Sequence, residues 1–297
     1  MKKSYKILFS LAVAFSAKFM NAQTTSFIFY NEQQNIVNPA AVGTEKGHTV
    51  LLNLRSQWFN SNQDNPQVQT LNTTHRVTDR IGLGASVVSD KIFSQRETAF
   101  YADFSYSLPI TEESNLYLGL KAGGDLYSLD GNRFRTYNET YDPYLQSLSG
   151  KFQPNVGVGA YYKTPKFYAG VSAPNLLASD KTKVNNEVVT SVSQQMVFYA
   201  MGGYYFRINQ DFTIVPRFQM YFAKNTQYQL SATASVLYTD FIEAGVTYRT
   251  TQALNGYLLF RVPSYNFSVG YGFESYLQPK VTSSLRNVHE FIVALHF

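Results

Sequence analysis

The chain contains no cysteine and a single tryptophan, Trp58. Without cysteine there is no disulfide framework, no thiolate zinc site and no thiol nucleophile. Charge is also scarce: Asp, Glu, Lys and Arg make up 15 % of the residues, where about a quarter is usual for soluble domains. Long apolar runs are missing beyond the N-terminus. The longest, Met196–Phe206, is interrupted by two glycines and falls short of the roughly 20 residues that a spanning helix needs. Helical membrane spans are therefore excluded. The four histidines, His48, His75, His289 and His296, show no metal-ligand spacing. No G-x-S-x-G occurs. Gly82-Leu83-Gly84, Gly157-Val158-Gly159 and Gly270-Tyr271-Gly272 lie in extended segments with no helix behind them, so they are not phosphate loops. The chain is expected to hold no cofactor and no metal, and not to be an enzyme.

Aromatic residues, by contrast, are abundant, with 23 Tyr and 23 Phe. The first 22 residues read as a signal peptide: Lys2, Lys3 and Lys6 form a basic start, Ile7–Ala17 is apolar, and Ala22 precedes Gln23. These residues carry four Lys and no acid, so their removal lowers the net charge from +5 to +1. The basic balance is thus mostly a targeting feature, and no nucleic-acid partner is expected.

The remainder is built from segments of about ten residues with period-two alternation. Over 116–126, Leu116, Leu118, Leu120, Ala122 and Leu126 share one face, while Tyr117, Gly119, Lys121, Gly123 and Asp125 share the other. This pattern predicts about fourteen strands, with boundaries good to a few residues. They lie near 49–58, 67–77, 80–90, 97–108, 115–126, 151–162, 166–172, 196–207, 211–222, 227–237, 241–249, 255–262, 265–274 and 288–297. Pro216 falls inside a strand and reads as a bulge. Connections alternate in length, with short turns on one rim and every long loop (59–66, 127–150, 173–195 and 275–287) on the other. That sorting characterises transmembrane antiparallel β-barrels, whose short turns are periplasmic. Both termini are then expected on the periplasmic rim. Arg55, Asp103, Lys121, Asp125, Arg217, Glu243, Arg261, Glu274 and Glu290 all fall on the polar, inward face. On the lipid face each would cost about 2–4 kcal/mol at the midplane.

Residues 23–48 do not alternate. Asn, Pro and Gly argue for irregular backbone there, and Phe27, Phe29, Tyr30, Ile36 and Val37 need burial. An ordered segment at or in the lumen fits this better than a loose periplasmic tail. The expected division is a signal peptide over 1–22, an N-terminal periplasmic or lumenal segment over 23–48, and an outer-membrane barrel over 49–297. Arg55 and Gln57 are expected to point inward, with Arg55 paired to a lumenal acid or to carbonyls of 23–48, and Trp58 to sit near the outer rim.

Asn31 and Asn38-Pro39-Ala40-Ala41-Val42-Gly43 together resemble the N-x6-N-P-A-Y-A-G pattern of the PorP/SprF family, with Ala41-Val42 where the family usually has Tyr-Ala. Arg55-Ser56-Gln57-Trp58, followed by Pro66, resembles its R-x-Q-W strand. Further matches are Asp79–Gly84, Pro154–Gly159, and Phe167–Ser172 leading into Pro174-Asn175-Leu176-Leu177. The resemblance implies a non-enzymatic barrel in the outer membrane of a Gram-negative cell, embedded in its lipid and attached to type IX secretion and gliding machinery. Its implied role is to assist secretion or to anchor an adhesin-type surface protein, with periplasmic ring components of the machine as further partners. The alternative is a diffusion channel or fatty-acid-type transporter. Partner recognition is expected on loops 127–150 and 173–195. The first carries Arg133, Phe134, Arg135, Tyr137, Tyr141 and Tyr144, residue types that dominate interface energetics.

Overall fold

Strands with one apolar and one polar face cannot remain as an open sheet in hydrocarbon, because the edge groups would lack partners; closure satisfies every ladder. The computed structural model describes residues 26–57, 65–130, 148–177, 179–185, 188–223, 226, 228–277 and 287–297. It shows a closed antiparallel barrel of 14 staves. The first seven strands are β1 (His48–Gln57), β2 (Gln67–Arg76), β3 (Ile81–Ile92), β4 (Gln95–Thr111), β5 (Ser114–Leu129), β6 (Leu148–Lys163) and β7 (Phe167–Asn175). A separate hairpin follows, β8 (Ser179–Asn185) with β9 (Val188–Gln194). β10 (Val197–Tyr204) and β11 (Phe206–Arg207) form one stave, broken at Tyr205. The wall continues through β12 (Phe212–Ala223), β13 (Gln229–Tyr238), β14 (Ile242–Arg249), β15 (Ala253–Val262), β16 (Phe267–Tyr276) and β17 (Asn287–His296). Pairing of β1 with β17 closes the ring and places Arg55 directly opposite Glu290. Among the described residues no helix is long and apolar enough to cross a membrane.

The two faces sort as the alternation requires. Leu52, Leu54, Leu118, Leu120, Val156, Val158, Phe291 and Val293 are exposed on the outer wall. Arg55, Asp103, Lys121, Asp125, Arg217, Glu243, Glu274 and Glu290 are buried inside. Arg261, also inward, is half-buried.

Four details differ from the sequence expectation. Pro216 makes no bulge in β12: its register with β13 runs unbroken through Pro216↔Ala234. On the other side the ladder lapses between Gly203↔Arg217 and Phe206↔Ile214, at the level of Pro216, while Tyr205 N–H continues the ladder toward β7 by bonding to Lys166 O (2.7 Å). The stretch 173–195 is not simply loop, because β7 runs on to Asn175 and β8 pairs with β9. β4, β5 and β6 span 17, 16 and 16 residues, well beyond the expected ten or so. The fourth difference concerns the course of the N-terminal segment. The C-terminus lies on the short-turn rim, where the N–H groups of His48 and Phe297 each bond to the other's carbonyl. The described part of the N-terminal segment begins near the opposite rim: Ser26 contacts Gln229 and Arg249, at the long-loop ends of β13 and β14. It then descends the lumen to Gly47, whose carbonyl accepts from Arg76 N–H beside the short turn after β2. The rim at which the chain itself begins lies outside the described residues; the described segment runs the length of the lumen.

Candidate functional site: the filled lumen

Toward the long-loop rim the descending segment is held by charge. Glu290 accepts from the consecutive amides of Ile28 (2.8 Å) and Phe29 (3.1 Å). It also accepts from Asn53 (2.7 Å) and pairs with Arg55 (3.2 Å). Arg55 reaches on to Glu274 (3.0 Å), and Glu274 pairs with Arg249 (2.5 Å). Arg249 returns to the segment, donating to the carbonyls of Ser26 (3.2 Å) and Phe27 (2.5 Å). Glu290 and Arg249, linked through Arg55 and Glu274, thus grip a short peptide by its N–H groups on one side and its C=O groups on the other. Burying these charges is tolerable because each is paired and hydrogen-bonded. Beneath this layer, Arg261 bridges Glu32 of the segment (2.9 Å) to Glu243 of the wall (2.9 Å). Glu243 also pairs with Arg217 and accepts from the Tyr257 hydroxyl (2.7 Å). Tyr30 and Thr233 share a hydrogen bond (2.9 Å), and Thr70 donates to Gln33 (2.9 Å).

Toward the short-turn rim the same segment is held by shape. Asn38 caps a 3-10 turn, Pro39–Ala41, by accepting from the Ala40 amide (3.0 Å), and its amide group donates to Ala160 O (3.2 Å). Pro39 suits the first turn, where no N–H is needed. Ala40 lies so close to the wall that a Cβ on Gly119 would sit 2.2 Å from its nitrogen. A Cβ on Gly159 would meet Asn38 Oδ1 at 2.1 Å, and one on Gly82 would meet Val42 O at 2.5 Å. Gly43 adopts φ +71, a left-handed backbone that glycine enters without penalty, against Gly82. Gly82, Gly84, Gly119 and Gly159 are therefore seats of the segment, whereas Gly157 lies against Pro174 of the wall. Ser105 and Ser172 donate to Val42 O (2.5 Å) and Val37 O (2.7 Å). The Tyr168 hydroxyl donates to Asn31 (2.7 Å) and its ring stacks on Tyr161 at 5.5 Å.

The structure thus brings Asn31, Asn38, Pro39, Gly43 and Arg55 into one lumenal assembly. Gln57 lies at the end of β1, half-buried, with its amide bonded to Pro66 O (3.0 Å). Trp58 lies outside the described residues, as do Arg133, Phe134, Arg135, Tyr137, Tyr141 and Tyr144. Sequence reasoning gave no role to Arg249 and did not connect Glu274 and Glu290 to the backbone of the segment. Their only signal was inward placement; the partnership depends on which strands are neighbours. His48 and His75 stand opposite each other with ring centroids 5.2 Å apart, and His48 also bonds to Thr73 (2.7 Å); His296 bonds to Ser268 (2.9 Å) and His289 meets Tyr271 (2.9 Å). Among the described residues no group of three or more His, Asp or Glu forms a metal-binding cluster.

Comparison with known proteins gives one family: the one described as type IX secretion system membrane protein PorP/SprF matches residues 19–295. No curated protein matches the chain by sequence. Solved structures share its barrel at low identity. The CymD monoaromatic hydrocarbon channel superposes with a TM-score of 0.54 at 15 % identity, over 89 % of this chain and 92 % of that one. The outer membrane protein Omp33 of Acinetobacter baumannii gives 0.52 at 11 %, over 86 % and 100 %. The toluene transporter TbuX of Ralstonia pickettii gives 0.52 at 12 %, over 88 % and 92 %. At such identities the likeness is one of fold.

Proposed function

We propose, from the premise that the chain belongs to the PorP/SprF family of type IX secretion system membrane proteins, that it acts as a holder at the cell surface and not as a conduit. As a member of that family with an outer-membrane barrel fold, it resides in the outer membrane of a Gram-negative cell. On this reading it has no catalytic activity. It assists export of, or anchors, an adhesin-type surface protein of the type IX system, and it works beside periplasmic components of the machine. The observation that carries the reading is the filled lumen. Residues 26–47 bond to β2, β4, β6, β7, β13, β14, β15 and β17. A fatty-acid-type transporter can also carry an N-terminal lumenal segment; what favours a holder is how much of the wall this one is fastened to. The long-loop rim is then extracellular, and the tyrosine- and arginine-rich loop 127–150 carries recognition of the partner, with 173–195 forming a polar rim beside it.

The test is removal of residues 131–147. The barrel still inserts, because β5 and β6 keep their register up to Leu129↔Leu148. The expected outcome is one surface protein lost to the medium or retained in the periplasm. An unchanged surface proteome with faster solute uptake would overturn the holder reading in favour of the channel.

A further inference from the structure

The contacts around Ser26–Tyr30 read main chain more than side chain. One carboxylate takes two successive amides and one guanidinium takes two successive carbonyls. The groups that do this are already bound to one another. Glu290–Arg55 (3.2 Å), Arg55–Glu274 (3.0 Å) and Glu274–Arg249 (2.5 Å) form a chain of wall residues, with Asn53 and Asn255 completing the two carboxylates (2.7 and 3.2 Å). No atom of the N-terminal segment is needed to assemble it. The receptor surface is therefore complete without the peptide that fills it.

Side-chain pockets accompany this backbone recognition. Ile28 and Phe29 pack with Leu51, Leu259, Ile292 and Ala294. Room for them exists because the wall carries glycine: a Cβ on Gly272 would meet Ile28 at 2.7 Å, and one on Gly270 would meet Phe29 at 2.9 Å. A cavity of about 210 Å³ borders Ser26, Phe27 and Tyr30 on one side and Tyr101, Tyr199 and Tyr221 on the other. It lies toward the long-loop rim and leads to this stretch of the segment.

We infer that this half of the lumen is a peptide-binding site filled in cis, which accepts in trans an extended peptide with an aliphatic residue at the Ile28 position and an aromatic at the Phe29 position. The occupant in trans is a segment of the exported surface protein; only this identification rests on the holder reading above. Tethering gives the cis segment a large effective concentration, on the order of millimolar for a short flexible link. Exchange is therefore seen once the link is cut.

The test uses the full chain with a specific protease site inserted between Glu45 and Lys46, both exposed at the short-turn rim. The protein is folded in detergent first and cut afterwards. The probe is a fluorescent peptide of residues 24–45, which competes for both halves of the seat, followed by polarisation. Cut protein takes up the probe and releases its own segment, whereas uncut protein takes up little. Glu290→Gln weakens uptake by roughly 10- to 100-fold, as expected for losing charge-assisted hydrogen bonds. Gly272→Val weakens it with the charge chain intact. A scrambled probe does not bind. Cut protein that keeps its segment against excess probe, or that binds the scrambled peptide equally, overturns the inference. Because the readout needs no partner protein, failure here leaves the loop-deletion result standing, and failure there leaves this site standing.

Discussion

Toward the long-loop rim, residues 26–32 are held by buried ion pairs and by hydrogen bonds to their backbone; toward the short-turn rim, residues 38–43 are held by close approach to wall glycines. The two halves make different demands on sequence. A carboxylate that accepts backbone amides is indifferent to which residues supply them. A wall glycine whose added Cβ would come within 2.2 Å of the segment's backbone tolerates no methyl group, because the segment lies directly against it. The lower half is therefore written in the chain as a compact pattern, Asn38-Pro39-Ala40-Ala41-Val42-Gly43. The upper half is scattered over Asn53, Arg55, Arg249, Glu274 and Glu290, up to 237 positions apart.

Removing a charge from the upper half has the largest expected effect. Glu290→Ala leaves Arg55 buried with one partner fewer and strips the Ile28 and Phe29 amides of their acceptor. Breaking a buried pair in this way costs about 3–5 kcal/mol. Hydrogen exchange of residues 26–31 should speed up strongly, while that of residues 38–43 changes little. If both stretches loosen together, the two halves are one unit and the comparison is broken. Next comes the lower half. Gly119→Val drives a side chain into Ala40, and overpacking of this kind costs about 1–3 kcal/mol. Exchange should then rise at 38–43 and stay low at 26–31, the reverse of the first result. The smallest effect belongs to the ion pair of Lys163 with Glu45, whose side chains are 22 % and 80 % exposed. Lys163→Ala should change segment protection by no more than about 0–1 kcal/mol, and less at high salt. A large loss there would mean that the rim, and not the lumen, fastens the segment.

The same contrast explains how much was legible in the sequence. The staves could be read because lipid outside and polar groups inside impose opposite demands on alternate residues, as in 116–126. Where that pressure fades the reading loosens. β4 and β5 continue past the alternating stretch to Gln95 and Leu129, and the β8–β9 hairpin, pairing only with itself, sends no alternation signal. Tyr205 interrupts a stave whose faces were mixed in sequence. The glycines on the inward face announced that something packs inside, and the Asn-Pro-Ala stretch supplied it. Arg55 was legible as an inward cation that needs an acid. That the acid is Glu290 follows only from barrel closure, which sets β1 against β17. Arg249 ends its strand and carried no distinguishing pattern, so its hold on Ser26 and Phe27 could not be anticipated. The path of the segment through the lumen was not legible for a related reason: burial demand was visible, but how the segment runs depends on where the gripping charges stand.

The central claim is that residues 26–47 fill the lumen and are fastened to its wall. It is tested most directly by swelling of liposomes that carry either the intact barrel or a variant lacking residues 26–43, with sugars of graded size. The account predicts that small sugars enter through the shortened barrel and not through the intact one. Equal sugar entry through both would contradict it.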